Sequence, residues 1–216
     1  MLELQNLTVK YGAVAAVRNI SLTLPQGTLS VINGQFGSGK SSLLRAIFGM
    51  TPFNGIIRLN NKKIAPVNPK AMVKHGVAFM PEGGPVFEKM SLRENLNLVL
   101  PHAAETKELN SAFEIFPSIK RYLDSPAYAL SGGQRQMLSF LRMVLTKPRM
   151  LLLDEPTLGL AKDAVESMSE KLTELAQSGA TILVAEQTSL LDQIADKKFH
   201  MKNGHLNAAN KKGEET

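Results

Sequence analysis

Short apolar runs and longer stretches of helical spacing alternate along the chain. Near the N-terminus, Leu2, Leu4, Leu7 and Val9 predict an edge strand whose period of two slips near Asn6. Further strands are predicted where apolar residues alternate or run together and then stop at a turn signal. These strands cover residues 20–24, 28–33, 55–59, 77–80, 150–153 and 181–184.

Helical patterns fill much of the sequence between these strands. Residues 40–48 predict a helix that stops at Gly49, and residues 134–145 predict a second one. Between residues 165 and 175 the apolar positions are spaced by three and four, which predicts an amphipathic helix capped by Gly179. Because buried strands alternate with helices, the pattern indicates an α/β fold whose core sheet is mostly parallel.

The segment from Pro81 to Gly133 has a different pattern from the rest of the chain. Glycine and proline interrupt it, and helical spacing dominates at residues 92–100 and 109–122. We interpret residues 82–133, approximately, as an inserted helical lobe within a single domain, 1–216, whose core comprises residues 1–81 and 134–206. The polar residues 207–216 are predicted to form a frayed tail.

Composition narrows the class of protein. Hydrophobic residues make up 44% of the 216 residues and charged residues 20%, the balance of a globular rather than a disordered chain. The absence of cysteine excludes disulfides, thiolate metal sites and cysteine nucleophiles. The net charge is +6, but the basic residues are scattered, which favours a solvated basic surface over a nucleic-acid-binding one. A face toward anionic lipid headgroups is the alternative. No apolar run approaches the ~18 residues that a membrane span needs.

A phosphate-binding loop is predicted between the strand at 28–33 and the helix at 40–48. Residues Gly34–Ser41 read GQFGSGKS and match the pattern G-x-x-x-x-G-K-[ST]. Glycines let successive N–H groups converge on phosphate oxygens, and the helix N-terminus adds unpaired N–H groups. Lys40 is expected to supply a charge for the β- and γ-phosphates, and Ser41 a hydroxyl for Mg²⁺. The predicted nucleotide-binding residues here are Gly34, Gln35, Phe36, Gly37, Ser38, Gly39, Lys40, Ser41 and Ser42.

Two acids follow the apolar strand at 150–153. Asp154 is expected to orient Mg²⁺ through water. Glu155 comes next in the chain and therefore points in a different direction, which suits a general base that polarises the attacking water. The sequence thus predicts that nucleotide and cation meet at this strand end.

A second candidate anion site opens the helix at 134–145. Leu130–Gln134 reads LSGGQ, in which Ser131 is expected to be the N-cap and the two glycines allow close approach of an anion. One nucleotide does not need two complete phosphate sites. Either the motif is an ordinary helix start, or it serves a nucleotide held by another subunit.

With these motifs in this order, the chain resembles the ATP-binding subunit of an ABC transporter. The resemblance runs from about Leu2 to Leu206 and rests on LSGGQ and on the Walker A (34–41) and Walker B (150–154) motifs. It implies a P-loop NTPase core with an N-terminal antiparallel β part and the inserted helical lobe. It also implies ATP and Mg²⁺ as ligands, and a dimer in which the phosphate loop of one subunit faces the LSGGQ motif of the other.

The same resemblance assigns roles to residues outside the phosphate loop. The residues implied to contact the γ-phosphate across the dimer are Ser131, Gly132 and Gly133, together with Gln134 of the same motif. Tyr11 stands where the family stacks an aromatic ring on adenine, and a half-buried core tyrosine is the alternative.

Finer details resemble the ATP-binding subunits of high-affinity branched-chain amino acid importers. The stretches that carry this likeness are Met80–Phe87, Met90–Leu96, Glu114–Pro117, Leu158–Leu160 and Ala185–Gln187. Like that group, this chain has Glu82 where most ABC ATPases have glutamine, and Gln187 where most have histidine. Glu82 can still ligate Mg²⁺, whereas Gln187 can bind the γ-phosphate but cannot carry a proton, so the base role falls more heavily on Glu155. Lys162 and the pair Gly84–Pro85 depart from that group.

The resemblance predicts the cytoplasmic ATP-hydrolysing motor subunit of an import system for branched-chain or other amino acids, peripheral on the inner face of the cell membrane. Its expected catalytic residues are Glu155, Gln187 and Lys40, and its expected Mg²⁺ ligands are Ser41, Asp154 and Glu82. The expected partners are a second ABC ATPase, identical or different, and permease subunits that contact the segment from Glu82 to Met90 and the helical lobe; no nucleic acid is expected. The alternatives are an ABC ATPase for another cargo, a non-transport ABC ATPase, and a switch that hydrolyses ATP weakly.

Overall fold

Two sheets and six α-helices make up the part of the chain that the structure, a computed structural model, describes: residues 1–100 and 105–208. The strands are β1 Leu2–Tyr11, β2 Val14–Leu24, β3 Leu29–Asn33, β4 Asn54–Leu59, β5 Lys62–Lys63, β6 Val77–Met80, β7 Met150–Asp154, β8 Thr181–Glu186, β9 Lys197–Lys202 and β10 His205–Ala208. The helices are α1 Lys40–Phe48, α2 Pro69–Lys74, α3 Leu92–Asn97, α4 Glu105–Ile115, α5 Gly132–Leu145 and α6 Lys162–Gln177. Shorter 3-10 turns cover Pro117–Tyr122, Ala127–Ala129 and Asp192–Ile194.

The first sheet is antiparallel and has the strand order β2-β1-β4-β5. β1 is paired on both sides, so the prediction of an edge strand was wrong. Its alternation is that of a strand with one buried face, and such a pattern does not tell how many neighbours the strand has. The predicted slip is confirmed, because the pairing with β2 shifts register between Leu4 and Leu7, where Asn6 has a φ of 51°.

The second sheet has the order β10-β9-β3-β8-β7-β6 and is parallel from β9 to β6, with β10 antiparallel at its edge. The predicted mostly parallel core sheet is confirmed. Since the carboxyl ends of parallel strands lie at one edge of a sheet, the residues that follow β3, β7 and β8 meet there. The fold thereby brings together the phosphate loop, the two acids and the segment around Gln187.

The parallel sheet buries apolar residues on both of its faces. In β7, Leu151 and Leu153 belong to one hydrophobic cluster, and Met150 and Leu152 to the other. The first cluster joins the sheet to α3, α4, α5 and α6, and the second joins it to α1, α2 and the antiparallel sheet. Burial on both faces explains why β7 reads as a continuous apolar run rather than an alternation.

The helical region between β6 and α5 differs in detail from the prediction. α3 ends at Asn97 instead of residue 100, and α4 ends at Ile115. Phe116 precedes Pro117 and has φ and ψ of −130° and 79°, since the residue before a proline avoids the helical conformation. The chain continues as a 3-10 turn, so the single helix predicted over 109–122 was wrong in its second half.

Four elements, β5, α2, β9 and β10, carry no apolar pattern that predicts them. Most residues of β10, the edge strand, and of β9 beside it are exposed or only partly buried. β10 includes Asn207 and Ala208, which the sequence analysis placed in the polar tail, and the rest of that tail lies outside the described residues. Within the described ranges, no helix is long and apolar enough to cross a membrane.

Candidate functional site

The phosphate loop links β3 to α1, and its glycines are required for different reasons. Gly37 and Gly39 have φ angles of 76° and 110°, in the left-handed region that favours glycine. A side chain at Gly39 would also collide with the backbone oxygen of Ala16, and a side chain at Gly34 with that of Met201. The loop therefore depends on Gly34 for space, on Gly37 for its φ angle and on Gly39 for both.

The remaining residues of the loop divide into buried and exposed ones. Gln35 and Phe36 are exposed, and Phe36 is 84% exposed, so the tip of the loop faces outward. Ser38 is buried, and its Oγ has no hydrogen-bond partner among the described residues. Ser41 and Ser42 lie in the first turn of α1 and are partly buried.

Lys40 begins α1, and its ammonium group turns back into the loop. Nζ donates to the backbone oxygens of Gly34 at 2.6 Å and Gln35 at 3.2 Å, and it lies 3.5 Å from Oε1 of Glu155. The lysine and glutamate side chains are 4% and 6% exposed. A buried positive charge therefore lies inside the curl of the loop, where charge-assisted hydrogen bonds to phosphate are strongest.

The side chains of Ser41 and Asp154 are joined directly across the site. Ser41 Oγ donates to Asp154 Oδ1 at 2.9 Å, whereas Asp154 Oδ2 is buried without a hydrogen-bond partner in the described part of the chain. Burial raises the pKa of Asp154, the hydrogen bond from Ser41 lowers it, and the nearby charge of Glu82 raises it again. Glu82 itself is exposed.

These oxygen donors fit a magnesium ion. A buried carboxylate oxygen without a partner, a hydroxyl and a second carboxylate nearby are the kinds of ligand that Mg²⁺ prefers. Among the described residues there is no cluster of three or more His, Cys, Asp and Glu that could hold a metal. A cation here would thus rely on Ser41 and on its own water or phosphate ligands as well as on carboxylates.

Glu155 is held by its backbone and by its carboxylate. Its N–H donates to the carbonyl of Ala185 at 2.8 Å, and its carbonyl accepts from Gln136 Nε2 at 2.8 Å. The backbone N–H of Gln187 donates to Oε2 at 3.2 Å. A φ of 50° turns the chain away from β7 at this residue, so its side chain diverges from that of Asp154. Gln187 keeps an exposed side chain beside this carboxylate.

Glu186 is a residue of the site that the sequence analysis missed as a functional candidate. It ends β8, is 1% exposed, and accepts two hydrogen bonds at Oε1 from Thr157, one from the backbone N–H at 3.1 Å and one from Oγ1 at 2.7 Å. Burial raises its pKa to about 7, and the hydrogen bonds from Thr157 limit the shift while the charge of Glu155 adds to it. The one available signal was an acid directly after the buried strand 181–184.

The LSGGQ motif forms the start of α5. Ser131 is the N-cap, as predicted: its Oγ accepts from the backbone N–H of Gln134 at 3.2 Å, and its own N–H donates to Gln134 Oε1 at 2.8 Å. An added Cβ would meet nothing within 4 Å at Gly132, but at Gly133 it would lie 2.6 Å from the backbone oxygen of Gly159. No hydrogen bond or ion pair joins these residues to the phosphate loop in the described ranges.

Tyr11 ends β1 and lies beside α1. Its side chain is 49% exposed. A hydrogen bond with the side chain of Ser42 lowers the pKa of Tyr11, burial opposes this effect, and Thr51 lowers the pKa further. The phenol group is therefore held against α1, the helix that follows the phosphate loop, and its ring is half-exposed.

A family model described as ABC transporter matches residues 17–158 of the chain. Among curated proteins, the high-affinity branched-chain amino acid transport ATP-binding protein BraG of Pseudomonas aeruginosa is 29% identical over 211 residues, which cover 95% of this chain and 91% of BraG. A probable branched-chain amino acid transport ATP-binding protein, LivF of Archaeoglobus fulgidus, is also 29% identical, with 95% and 90% of the two chains covered.

Solved structures give the same picture of the fold. An ATP-binding subunit of an ABC transporter is 25% identical and superposes with a TM-score of 0.85, covering 96% of this chain and 90% of the other. A dimeric ATP-binding cassette in a post-hydrolysis state with ADP and phosphate has a TM-score of 0.86, covers 96% and 98%, and is 22% identical, which supports the fold alone. Because the family model spans about two thirds of the chain and includes the phosphate loop, LSGGQ and the acidic strand end, the protein belongs to the ABC transporter family as an ATP-binding, ATP-hydrolysing cassette.

Proposed function

We propose that this cassette is the Mg²⁺-dependent ATP-driven motor subunit of an import system for branched-chain or other amino acids. The observation that carries the proposal is the meeting of two side-chain pairs at one sheet edge. Ser41 bonds to Asp154 at 2.9 Å, and Lys40 lies 3.5 Å from Glu155. These two pairs supply a hydroxyl, an ammonium group and two carboxyl groups, which are the groups that a phosphoryl transfer site needs.

In this proposal the phosphate loop binds the β- and γ-phosphates through its N–H groups and Lys40. Glu155 accepts the proton of the attacking water, and Gln187 donates a hydrogen bond to the γ-phosphate. Ser41, Asp154 and Glu82 would hold Mg²⁺, which supplies charge neutralisation at the phosphates when it is bound. Tyr11 stacks on the adenine through its half-exposed ring.

The LSGGQ motif acts, in this proposal, on a nucleotide held by a second cassette. Ser131, Gly132, Gly133 and Gln134 have no link to the phosphate loop of their own chain in the described residues, and Gly132 leaves open space at the helix start. A capped helix N-terminus of this kind favours an anion. The proposed assembly is a dimer, with an identical or a different cassette, in which each ATP lies between the two subunits.

The proposed permease contact lies around Phe87, which is half-exposed with its ring 4.9 Å from the guanidinium carbon of Arg142. Asn95 shapes this segment, because its side chain accepts from the N–H of Phe87 and donates to the carbonyls of Phe87 and Met90. Through this contact the cassette would be peripheral on the cytoplasmic face of the membrane. The helical region, 82–133 in the proposed domain organisation, would form the rest of that surface.

The cargo is proposed from two kinds of support. The sequence stretches that resemble branched-chain amino acid importers include Met80–Phe87, and BraG and LivF are named for that transport. Other matched relatives are named for the import of iron(III) and of spermidine or putrescine. Uptake of labelled leucine, spermidine and iron(III) by vesicles containing the cassette with its co-purified permease would decide among these cargoes.

The first test of the motor is steady-state ATP hydrolysis by the purified chain over a range of protein concentrations. If the active unit is a dimer, activity should rise faster than linearly with protein. Glu155→Gln should bind ATP, accumulate as a dimer and stop turnover; normal turnover would remove Glu155 from the base role. The matched control is Glu166→Gln, a change of the same kind at an exposed position on α6, which should leave turnover unchanged.

Ser131→Arg tests the role of LSGGQ separately. The single chain should bind ATP as the wild type does, because Ser131 forms no hydrogen bond with its own phosphate loop among the described residues. The bulky cation should block closure of the dimer. Crosslinking that shows a closed dimer of this variant would refute the contact across the interface.

A further inference from the structure

Glu186 is a buried carboxylate to which the proposed mechanism gives no task. It forms no ion pair within the described part of the chain, and its Oε1 is used entirely by the two donors of Thr157. The groups that face it are Thr157, the charge of Glu155 and the backbone N–H of Gln187. A carboxylate buried beside another acid and without a cation destabilises the fold, so its presence calls for a second reason.

The backbone around Glu186 is hydrogen-bonded both to the phosphate loop and to Glu155. Its carbonyl accepts from the N–H of Gly34, the first residue of the phosphate loop, at 3.2 Å. On one side of it, the carbonyl of Ala185 accepts from the N–H of Glu155; on the other, the N–H of Gln187 donates to the Glu155 carboxylate. Glu186 is therefore a junction between the phosphate loop, the general base and the turn that follows β7.

Thr157 lies within the turn that orients Glu155. The turn is closed by a hydrogen bond from the N–H of Leu158 to the carbonyl of Glu155 at 3.2 Å. Glu155 has a φ of 50°, which is unfavourable for a residue other than glycine and persists only where neighbours hold it. The bonds from Thr157 to Glu186 are the side-chain link that holds the far end of this turn to β8.

We propose that Glu186 is a positioning residue, which fixes the turn through both donors of Thr157 and thereby aims the Glu155 carboxylate at the attacking water. The inference rests on the proposed role of Glu155 as general base. It assigns Glu186 and Thr157 to the hydrolysis step and not to nucleotide binding, since their side chains are hydrogen-bonded to each other and, among the described residues, not to the phosphate loop.

The test compares two substitutions at Glu186 and a matched pair at Thr157. Glu186→Leu removes the acceptor and leaves both Thr157 donors buried without a partner, whereas Glu186→Gln keeps a carbonyl oxygen of similar reach. Thr157→Val removes the hydroxyl at constant shape, and Thr157→Ser retains it. Each purified variant is assayed for kcat and KM with Mg²⁺-ATP, and its ATP affinity is measured by fluorescence titration.

A small displacement of a catalytic group lowers turnover by about 100-fold, so Glu186→Leu should lose kcat on that scale while KM changes less than about threefold. Glu186→Gln should retain most of the activity, and Thr157→Ser should restore what Thr157→Val loses. Unchanged kcat in Glu186→Leu would overturn the proposal. So would a loss of ATP affinity equal to the loss of kcat, because that pattern is expected of a fold defect. If Glu186→Leu does not fold, the two Thr157 variants provide the test. Equal kcat values for Thr157→Val and Thr157→Ser would then overturn the proposal.

A double substitution separates positioning of Glu155 from every other effect. With Gln at position 155 there is no base to aim, so adding Glu186→Leu should lower the residual single-turnover rate by less than about twofold. A further loss of about 100-fold, as in the wild-type background, would show that Glu186 acts independently of Glu155 and would overturn the proposal. If instead Glu155→Gln itself turns over normally, the proposed base role fails, which is a result distinct from either outcome at Glu186.

Discussion

The buried carboxyl of Glu186 predicts a specific pH dependence of stability, which Glu186→Gln should remove. Burial raises its pKa from 4.5 to about 7 in the folded chain. Between these two values the folded chain binds more protons than the unfolded chain, so the free energy of unfolding falls as the pH rises. The protonated carboxyl of Glu186 contributes fully to the stability of the folded chain below about pH 4.5, and this contribution is lost as the pH rises through about 7.

The size of this change in the free energy of unfolding follows from the pKa shift of Glu186. A difference of one pKa unit corresponds to about 1.4 kcal/mol, so this shift amounts to roughly 3 kcal/mol in total. Glu186 is 1% exposed, so solvent screens this energy little. Most of the change falls between pH 5 and pH 8, where we expect the wild type to lose about 2–3 kcal/mol relative to Glu186→Gln.

Urea unfolding followed by circular dichroism at several pH values between 5 and 8 measures this difference. The two proteins share all other titrating groups, so the difference between their free energies of unfolding reports the titration of Glu186 together with its coupling to Glu155. A constant offset, caused by the burial of an amide in place of a carboxyl, does not affect the comparison because only the slope with pH matters. Parallel profiles for wild type and variant would refute the assignment of a raised pKa to Glu186.

Four further substitutions, one of them a control, test the phosphate loop and the core. Lys40→Ala should reduce ATP affinity at least tenfold in a fluorescence titration, because it removes the buried charge beside the loop; unchanged affinity would contradict the predicted site. Gly39→Ala should abolish ATP binding, since φ is 110° and a Cβ would collide with Ala16, whereas Gly132→Ala, with open space around it, should leave binding by the single chain intact. Phe140→Ala, which empties a fully buried position in edge contact with Phe116, should lower the free energy of unfolding by about 3–5 kcal/mol in urea, and a loss below 1 kcal/mol would contradict the packing described.

The site could be predicted from sequence because most of its parts are local. The loop at Gly34–Ser41 is positioned by the strand before it and by the helix that begins at Lys40, and Asp154 ends a strand whose other residues are all apolar, with Glu155 directly after it. A parallel sheet aligns such strand ends at one edge, so contiguous motifs become spatial neighbours without any knowledge of distant contacts. The Ser41–Asp154 hydrogen bond, between residues 113 positions apart, is the result.

Other features could not be predicted, because the same sequence pattern occurs in different structures. The alternation of β1 is the same for an edge strand and for a strand with two neighbours. β9 has the sequence KKFHMK, in which mainly Met201 is buried, so a strand with two paired neighbours reads as a polar segment. The break between α4 and the following 3-10 turn did have a local signal, Pro117, which the apolar spacing around it obscured.

Glu186 shows why a residue with a proposed functional role can be missed even where its neighbours are recognised. An acid after a strand does not by itself tell whether its side chain is buried, and only the tertiary fold reveals that this one is buried against Thr157 and Glu155. Its raised pKa implies that, above about pH 7, the ionised carboxylate makes the folded chain less stable than a neutral side chain would. If Glu186 aims Glu155, then Glu186→Gln should be more stable than the wild type at pH 8 without being faster. A substitution that raised both stability and turnover would leave the buried acid without a function.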